Sequence, residues 1–253
     1  MPANPEIRDW SGRRVWLIGA SSGIGAALAR ELAARGARLA LSARRTEALQ
    51  ALGLADALLL PCDVAERQAL AAALAEIEAR WGGVDLVCYL AGDYRPMSVD
   101  NFDLASAERL FAVNFVGAAK TADVVLPALR PGGGIAFVAS VAGYRGLPKA
   151  LAYGPGKAAL IHFAECLHLD LAPRGIGCWA INPGFVATPL TAGNDFRMPA
   201  LLTPEQAAVA TVDGLATGNF EIHYPKRFTR VLKCLRLLPY RWYFPLVRKL
   251  TGA

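Results

Sequence analysis

Short runs of apolar and β-branched residues alternate along this chain with longer segments in which apolar positions recur at helical spacing. The short runs are 14–19 (RVWLIG), 37–42 (ARLALS), 57–61, 84–90 (VDLVCYL), 134–140 (GIAFVAS) and 176–181 (IGCWAI). Between them lie the helical stretches 23–35, 65–81, 104–129 and 155–171. Strand followed by helix, repeated, is the pattern of βαβ units on a parallel sheet. No repeat, Ser/Gly linker or low-complexity segment divides it. The pattern predicts a single α/β domain, a doubly wound parallel sheet with helices on both faces and ligands at the carboxyl ends of its strands. That domain is expected over residues 1–218, with a basic amphipathic helical extension over 219–253.

Composition narrows the picture. At 253 residues, 54% apolar and 19% charged, the chain can bury a sizeable core and is not disordered. Its five cysteines (Cys62, Cys88, Cys166, Cys178, Cys234) are odd in number and form no C-x-x-C pair, which argues against a disulfide framework or a zinc site. A reducing, cytoplasmic compartment is expected. The N-terminus MPANPEIRDWSGRR lacks the apolar core of a signal peptide. Residues 175–194 carry no charge, but Gly177, Asn182, Pro183, Gly184 and Pro189 break them, so they read as loop rather than a membrane span. The net charge of +6 is concentrated: residues from Asn219 onward hold eight Lys/Arg against one Glu, and those before it nineteen against twenty. A nucleic-acid binder spreads its basic stripe over the folded body, so no nucleic-acid partner is expected.

The first strand runs into Gly19-Ala20-Ser21-Ser22-Gly23-Ile24-Gly25 and then a helix. Glycines let the backbone turn sharply and approach a pyrophosphate, which sits against the free N–H groups and positive dipole end of the new helix. Dinucleotide folds commonly place an acid about 20 residues downstream to hold a ribose 2′-OH, whereas an Arg there accommodates a 2′-phosphate. Here the second strand ends in Ala43, Arg44 and Arg45. Arg can bind phosphate bidentately, so NADP is favoured over NAD; the alternative is that both arginines are simply solvated. Farther on, Tyr153 and Lys157 stand four residues apart, on one face of a helix. A Tyr of pKa near 10 beside an ammonium is shifted toward phenolate, and can donate a proton to a carbonyl or remove one from an alcohol. Ser140 ends GIAFVAS thirteen residues before Tyr153, and its hydroxyl suits polarising the same substrate oxygen. Asn114, in VNFVG, is expected to use its amide and a local backbone distortion to link Lys157 to solvent through a water.

GASSGIG, CDV, VNFVG, GIAFVAS, YGPGK and INPGFVAT, in that order, resemble the short-chain dehydrogenase/reductase family over roughly residues 12–218. The resemblance implies a Rossmann-like NAD(P)-binding catalytic domain and a tetrad of Asn114, Ser140, Tyr153 and Lys157. It implies that Asp63 and Val64 touch the adenine, that Ala91 and Gly92 line the cofactor, and that Pro183, Gly184, Val186 and Thr188 lie along the nicotinamide. The implied activity is an oxidoreductase moving a hydride between NADP(H) and a small carbonyl or alcohol, in a homodimer or homotetramer. The segment after Thr188, PLTAGNDFRMPALLTPEQ, is expected to form a lid whose Phe196, Met198, Leu201 and Leu202 favour an apolar or lipid-like substrate. The rival reading is a non-catalytic NADP-binding sensor or scaffold, and a third is an inactive relative.

The sequence departs from the family pattern in three places. Leu90 replaces the Asn of N-A-G, and Ile18 replaces the Thr before the first glycine, so apolar packing or weaker cofactor holding is expected there. Pro155 inside Y-x-x-x-K requires the helix to start at or just before Tyr153, where a proline costs no hydrogen bond. His162 and His168 read as packing or interface residues, with no metal expected.

In the extension, KRFTRVLKCLRLL (226–238) places Phe228, Val231, Leu232, Leu235 and Leu238 on one helical face, with Lys226, Arg230, Lys233 and Arg236 mostly on the other, and Pro239 stops that helix. The following YRWYFPLVRKL is aromatic and basic, a mixture suited to a membrane surface. Three partners remain open for residues 226–253: the body of the enzyme or a second subunit, the inner face of an anionic membrane, and another protein.

Overall fold

The apolar runs become strands because a sheet covered by helices on both faces must bury every residue of its inner strands. A computed structural model of the chain describes residues 2–194, 196 and 198–252. It contains β1 (Arg14–Ile18), β2 (Arg38–Ser42), β3 (Leu58–Leu59), β4 (Leu86–Tyr89), β5 (Gly134–Val138), β6 (Gly177–Pro183) and β7 (Glu221–Tyr224). All pair in parallel in the order β3-β2-β1-β4-β5-β6-β7, and β4, β5 and β6 are buried at every position. The chain winds outward from β1 to β3, then crosses back to β4 and winds the other way. The resulting switch point lies at the carboxyl ends of β1 and β4, where a doubly wound sheet opens its crevice.

Helices cover both faces: α1 (Gly23–Ala34), α2 (Thr46–Gln50), α3 (Arg67–Trp81), α4 (Leu104–Phe111), α5 (Gly117–Val125), α6 (Tyr153–Leu171) and α7 (Pro204–Leu215). Leu70, Leu74 and Ile77 of α3 join Ala122 of α5 and Leu160 of α6 in the core on one face. Leu28 and Leu32 of α1 join Val212 and Leu215 of α7 on the other. The N-terminal segment seals the second layer with Ile7 and Trp10, and the buried Asn4 amide bonds both backbone groups of Cys178 on β6.

Two differences from the sequence reading bear on the site. The stretch 104–129 is not one helix: α4 and α5 are joined by a π-helical turn, Ala112–Val116, with Asn114 buried inside it. β7 lies beyond residue 218, so the sheet takes in four residues that the charge pattern grouped with the extension. EIHY is short and half polar, and pairing with Ala180–Pro183 of β6 makes it a strand.

The extension continues as α8 (Lys226–Arg236) and α9 (Tyr240–Thr251), and both pack on the body. Phe228 and Leu232 reach the core, and Thr229 is buried with its hydroxyl bonded to Pro225 O at 3.0 Å and His223 Nδ1 at 2.6 Å. Because Thr229 faces inward, Val231 is turned out and is 55% exposed, unlike the other members of the predicted stripe. α9 bears out the expected helical extension and gives its last part a helix of its own; Pro239 precedes it, and Tyr243 and Val247 are its buried anchors.

Candidate active site

Gly19 holds a left-handed φ of +97°, and a Cβ there would lie 2.4 Å from Ala91 N. A Cβ on Gly25 would stand 2.2 Å from Gly19 O. The turn is thus folded tightly against the end of β4 and leaves no room for side chains. α1 begins at Gly23; Ser22 precedes it without a capping bond and no acid occupies the first turn, so its leading N–H groups remain for an anion.

The turn floors a cleft of about 480 Å³. Gly19, Ser21, Ser22, Gly23, Ile24 and Gly25 line it together with Arg44 and Arg45 at the end of β2, and Asp63 and Val64 after β3. Ala91, Gly92, Ser140, Tyr153, Lys157, Pro183, Gly184, Val186 and Thr188 complete the wall. Of the predicted site residues only Asn114 stays behind the wall, fully buried. Its Nδ2 donates to Asp93 O at 2.8 Å and its Oδ1 accepts from Asp93 N at 3.3 Å, so the amide braces the loop after β4. A second hollow of about 430 Å³, lined by Asp9, Arg13, Asp85 and Arg130, contains none of the predicted site residues.

α6 begins at Tyr153, as Pro155 required, and carries Lys157 one turn on. Lys157 is buried, and Nζ donates to Val138 O at 2.9 Å. Burial pushes its pKa from 10.5 down to about 7. Burial pushes Tyr153 up to about 12; a hydrogen bond with Ser140 pulls against that, and the neighbouring Tyr94 adds to it. The sequence reading expects Lys157 and a positive nicotinamide together to draw Tyr153 toward phenolate; among the protein groups alone desolvation outweighs the other influences and holds the phenol's pKa up. Ser140 also accepts from Ala142 N at 3.1 Å, which fixes the hydroxyl at the end of β5.

Leu190, in the expected lid segment, also lines the cleft, as does Tyr94, which escaped the sequence reading. Tyr94 meets Tyr153 edge to face at a centroid distance of 5.0 Å. The only available signal was an aromatic four residues past a strand's carboxyl end. Leu90 takes the place of the family Asn at the cleft wall and packs on the core beside α1. Ile18 is buried and accepts from Leu90 N at 2.7 Å, so the backbone bond persists without either polar side chain. In the expected lid, Phe196 meets Phe185 edge to face at a centroid distance of 5.8 Å and Leu202 bridges to Val186; Asp195 and Arg197 lie outside the described residues. His168 packs on Phe220, and His162 is exposed beside Glu165. Among the described residues no cluster could hold a metal ion.

The sequence profile of the short chain dehydrogenases matches residues 13–197. The chain belongs to the short-chain dehydrogenase/reductase family. An uncharacterized oxidoreductase of Myxococcus xanthus is 34% identical over 241 residues, covering 92% of this chain and 95% of that one. Another from Streptomyces coelicolor is 33% identical and covers 96% of this chain and 99% of its own, so that match runs into the extension. A short chain dehydrogenase from Burkholderia cenocepacia, solved with NADP, superposes with a TM-score of 0.77 at 26% identity, covering 85% of this chain and 96% of its own. One from Burkholderia phymatum, solved with NAD, has a TM-score of 0.81 at 23% identity, covers 90% and 94%, and shows the shared fold. The short-chain dehydrogenases and reductases are oxidoreductases that use a nicotinamide nucleotide, and this chain is one of them.

Proposed function

We propose that this reductase uses NADP(H) to reduce the carbonyl, or oxidise the alcohol, of a small apolar substrate. The observation that carries the reading is convergence: predicted site residues from seven separate segments, scattered from Gly19 to Thr188, line one cleft whose floor is an open helix N-terminus. The glycine turn suits a pyrophosphate because it closes tightly, a Cβ on Gly19 or Gly25 striking the backbone of Ala91 or Gly19, and presents the uncapped start of α1 to the cleft. Arg44 and Arg45 are exposed at the lip of that cleft and form no ion pair among the described residues, which favours a cofactor bearing a 2′-phosphate.

The cofactor supplies or accepts the hydride at the substrate carbon. Ser140 orients and polarises the substrate oxygen. Tyr153, protonated at neutral pH, donates its hydroxyl proton to that oxygen in reduction and takes one back in oxidation. Lys157 is held by Val138 at the base of the cleft, where Gly92 leaves space for both Nζ and the Asn114 amide. Its ammonium is poised to return a proton to Tyr153. Tyr94 and Leu190 give the substrate end an apolar lining, and Phe185, between the lining residues Gly184 and Val186, packs on Phe196.

Consumption of NADPH with a panel of apolar ketones and aldehydes tests the reading. Turnover that is abolished in Tyr153→Phe supports the enzyme. NADPH binding without turnover of any member would instead support the non-catalytic sensor.

A further inference from the structure

Residues 222–253 contain eight Lys/Arg and no Asp or Glu. Lys233 is paired with Glu221 at 2.6 Å. The other seven, Lys226, Arg227, Arg230, Arg236, Arg241, Arg248 and Lys249, are all exposed and form no ion pair among the described residues. Large apolar side chains are exposed among them: Leu237 at 82%, Tyr240 at 67%, Leu250 at 64%, Trp242 at 57% and Phe244 at 53%. α9 already buries Tyr243 and Val247 against the body, so these exposed side chains, which flank its outward basic side, are additional to the ones that dock the helix. Rings and leucines interleaved with cations and free of acids complement an anionic lipid surface, where rings sit at headgroup level and cations meet phosphate. At 12 residues α9 is about 18 Å long, well short of the roughly 30 Å hydrocarbon core, so it lies on a bilayer rather than across it.

The same elements flank the substrate end of the cleft. Arg145, in the loop between Ser140 and Tyr153, donates to Leu235 O, Arg236 O and Leu238 O at 3.2, 3.1 and 2.5 Å. Its guanidinium lies 4.5 Å from the Tyr240 ring and 4.0 Å from the Tyr243 ring, and Tyr243 donates to Gly146 O at 2.8 Å. On the other side Phe228 of α8 packs on Phe185 at 5.7 Å, and Phe185 on Phe196 at 5.8 Å. A surface bound by α8 and α9 is therefore held next to both loops that frame the substrate.

We propose that α8 and α9 dock this protein on anionic phospholipid and set the substrate mouth against the bilayer, so that its carbonyl or alcohol substrate is one dissolved in the membrane. The dock stands on the surface alone; the substrate class rests on the activity proposed above. Sedimentation of the full chain is measured with vesicles of phosphatidylcholine and with vesicles in which a third of the lipid is phosphatidylglycerol. Two double variants of exposed positions are compared, Trp242→Glu with Phe244→Glu and Arg241→Glu with Arg248→Glu. The full chain is expected to sediment only with the anionic vesicles at low salt, and each variant to bind at least tenfold more weakly with an unchanged melting temperature. Full chain that stays in the supernatant, or variants that bind as the parent does, would overturn the dock. So would a parent dimer that becomes monomeric in Trp242→Glu with Phe244→Glu, because a second copy would then be the occupant.

A long-chain aldehyde carried in the vesicles tests the substrate class against a water-soluble ketone. Anionic vesicles are expected to raise its turnover several-fold in the parent and not in the variants, with the soluble ketone reduced equally by all. Equal rates with and without vesicles overturn the substrate assignment. Absence of turnover of either compound, with sedimentation intact, overturns the activity and leaves the dock standing.

Discussion

Lys157 Nζ lies 5.7 Å from the centre of the Tyr153 ring, one helical turn away on α6, and its hydrogen bond goes to Val138 O rather than to the phenol. Both side chains are desolvated, and desolvation moves them in opposite directions: the acid keeps its proton and the base loses its charge more readily. The pair thus stands as a neutral donor beside a weakened ammonium, an arrangement that suits proton delivery to a carbonyl.

Replacing Tyr153 with Phe removes the proposed proton donor while leaving the ring against Tyr94. Carbonyl reduction is expected to fall by about 10²–10⁴-fold, the usual worth of a positioned acid. NADPH fluorescence titration should show binding within a few-fold of the parent; loss of binding would mean that the hydroxyl holds the cofactor instead.

Titration of the same pair should register in the stability of the cofactor-free protein. The folded-state pKa of Lys157 is depressed to about 7 from 10.5, so the unfolded chain takes up that proton first and stability falls as pH drops from 10.5 toward 7. The folded-state pKa of Tyr153 is raised to about 12 from 10.0, so its contribution is complete below pH 10 and is lost as pH climbs toward 12. Thermal melts of Lys157→Met and the parent should therefore differ increasingly in the variant's favour as pH is lowered from 10 to 7. A difference independent of pH would place Lys157 in a solvated site.

Arg44 stands at the lip of the cleft with no carboxylate beside it in the wall after β2. Arg44→Asp turns an attraction for a 2′-phosphate into a repulsion. A charge-assisted bond is worth roughly 1.5–3 kcal/mol, so the Kd for NADPH should rise about tenfold to hundredfold. The Kd for NADH should change little, and equal losses for both nucleotides would remove Arg44 from phosphate recognition.

Gly25→Ala drives a methyl against Gly19 O, 2.2 Å away and part of the backbone, so neither partner can yield cheaply. Overpacking of this kind costs about 1–3 kcal/mol, and the distortion falls on the pyrophosphate turn. A lower Tm together with at least tenfold weaker NADPH binding is expected. Parent-like values for both would show the turn to be loose.

Removal of residues 226–253 strips Phe228, Leu232, Tyr243 and Val247 from their contacts and leaves Arg145 without its carbonyl partners. Each buried side chain of that size contributes roughly 1.5–3 kcal/mol, so the truncated chain should melt well below the parent in calorimetry. An unchanged melting temperature would show the extension to be only appended.

Much of this protein was legible in its sequence because its chemistry is local. Six of the seven strands are continuous apolar runs, and the turn from Gly19 to Gly25 and the Tyr153–Lys157 pair are each encoded within a few residues, as is the start of α6 imposed by Pro155. Strand β7 was not legible and the helical extension was legible without the bounds of α9, since EIHY takes its structure from β6 and YRWYFPLVRKLT is seated by the surface beneath it. Composition told that the extension was basic and amphipathic, but only packing decided that Thr229 would face inward and Val231 outward, and that Arg145 would clamp the junction of α8 and α9. The two pKa shifts were equally beyond the sequence: spacing places an ammonium near a phenol, but whether attraction or desolvation prevails depends on how much of the fold lies between those groups and water.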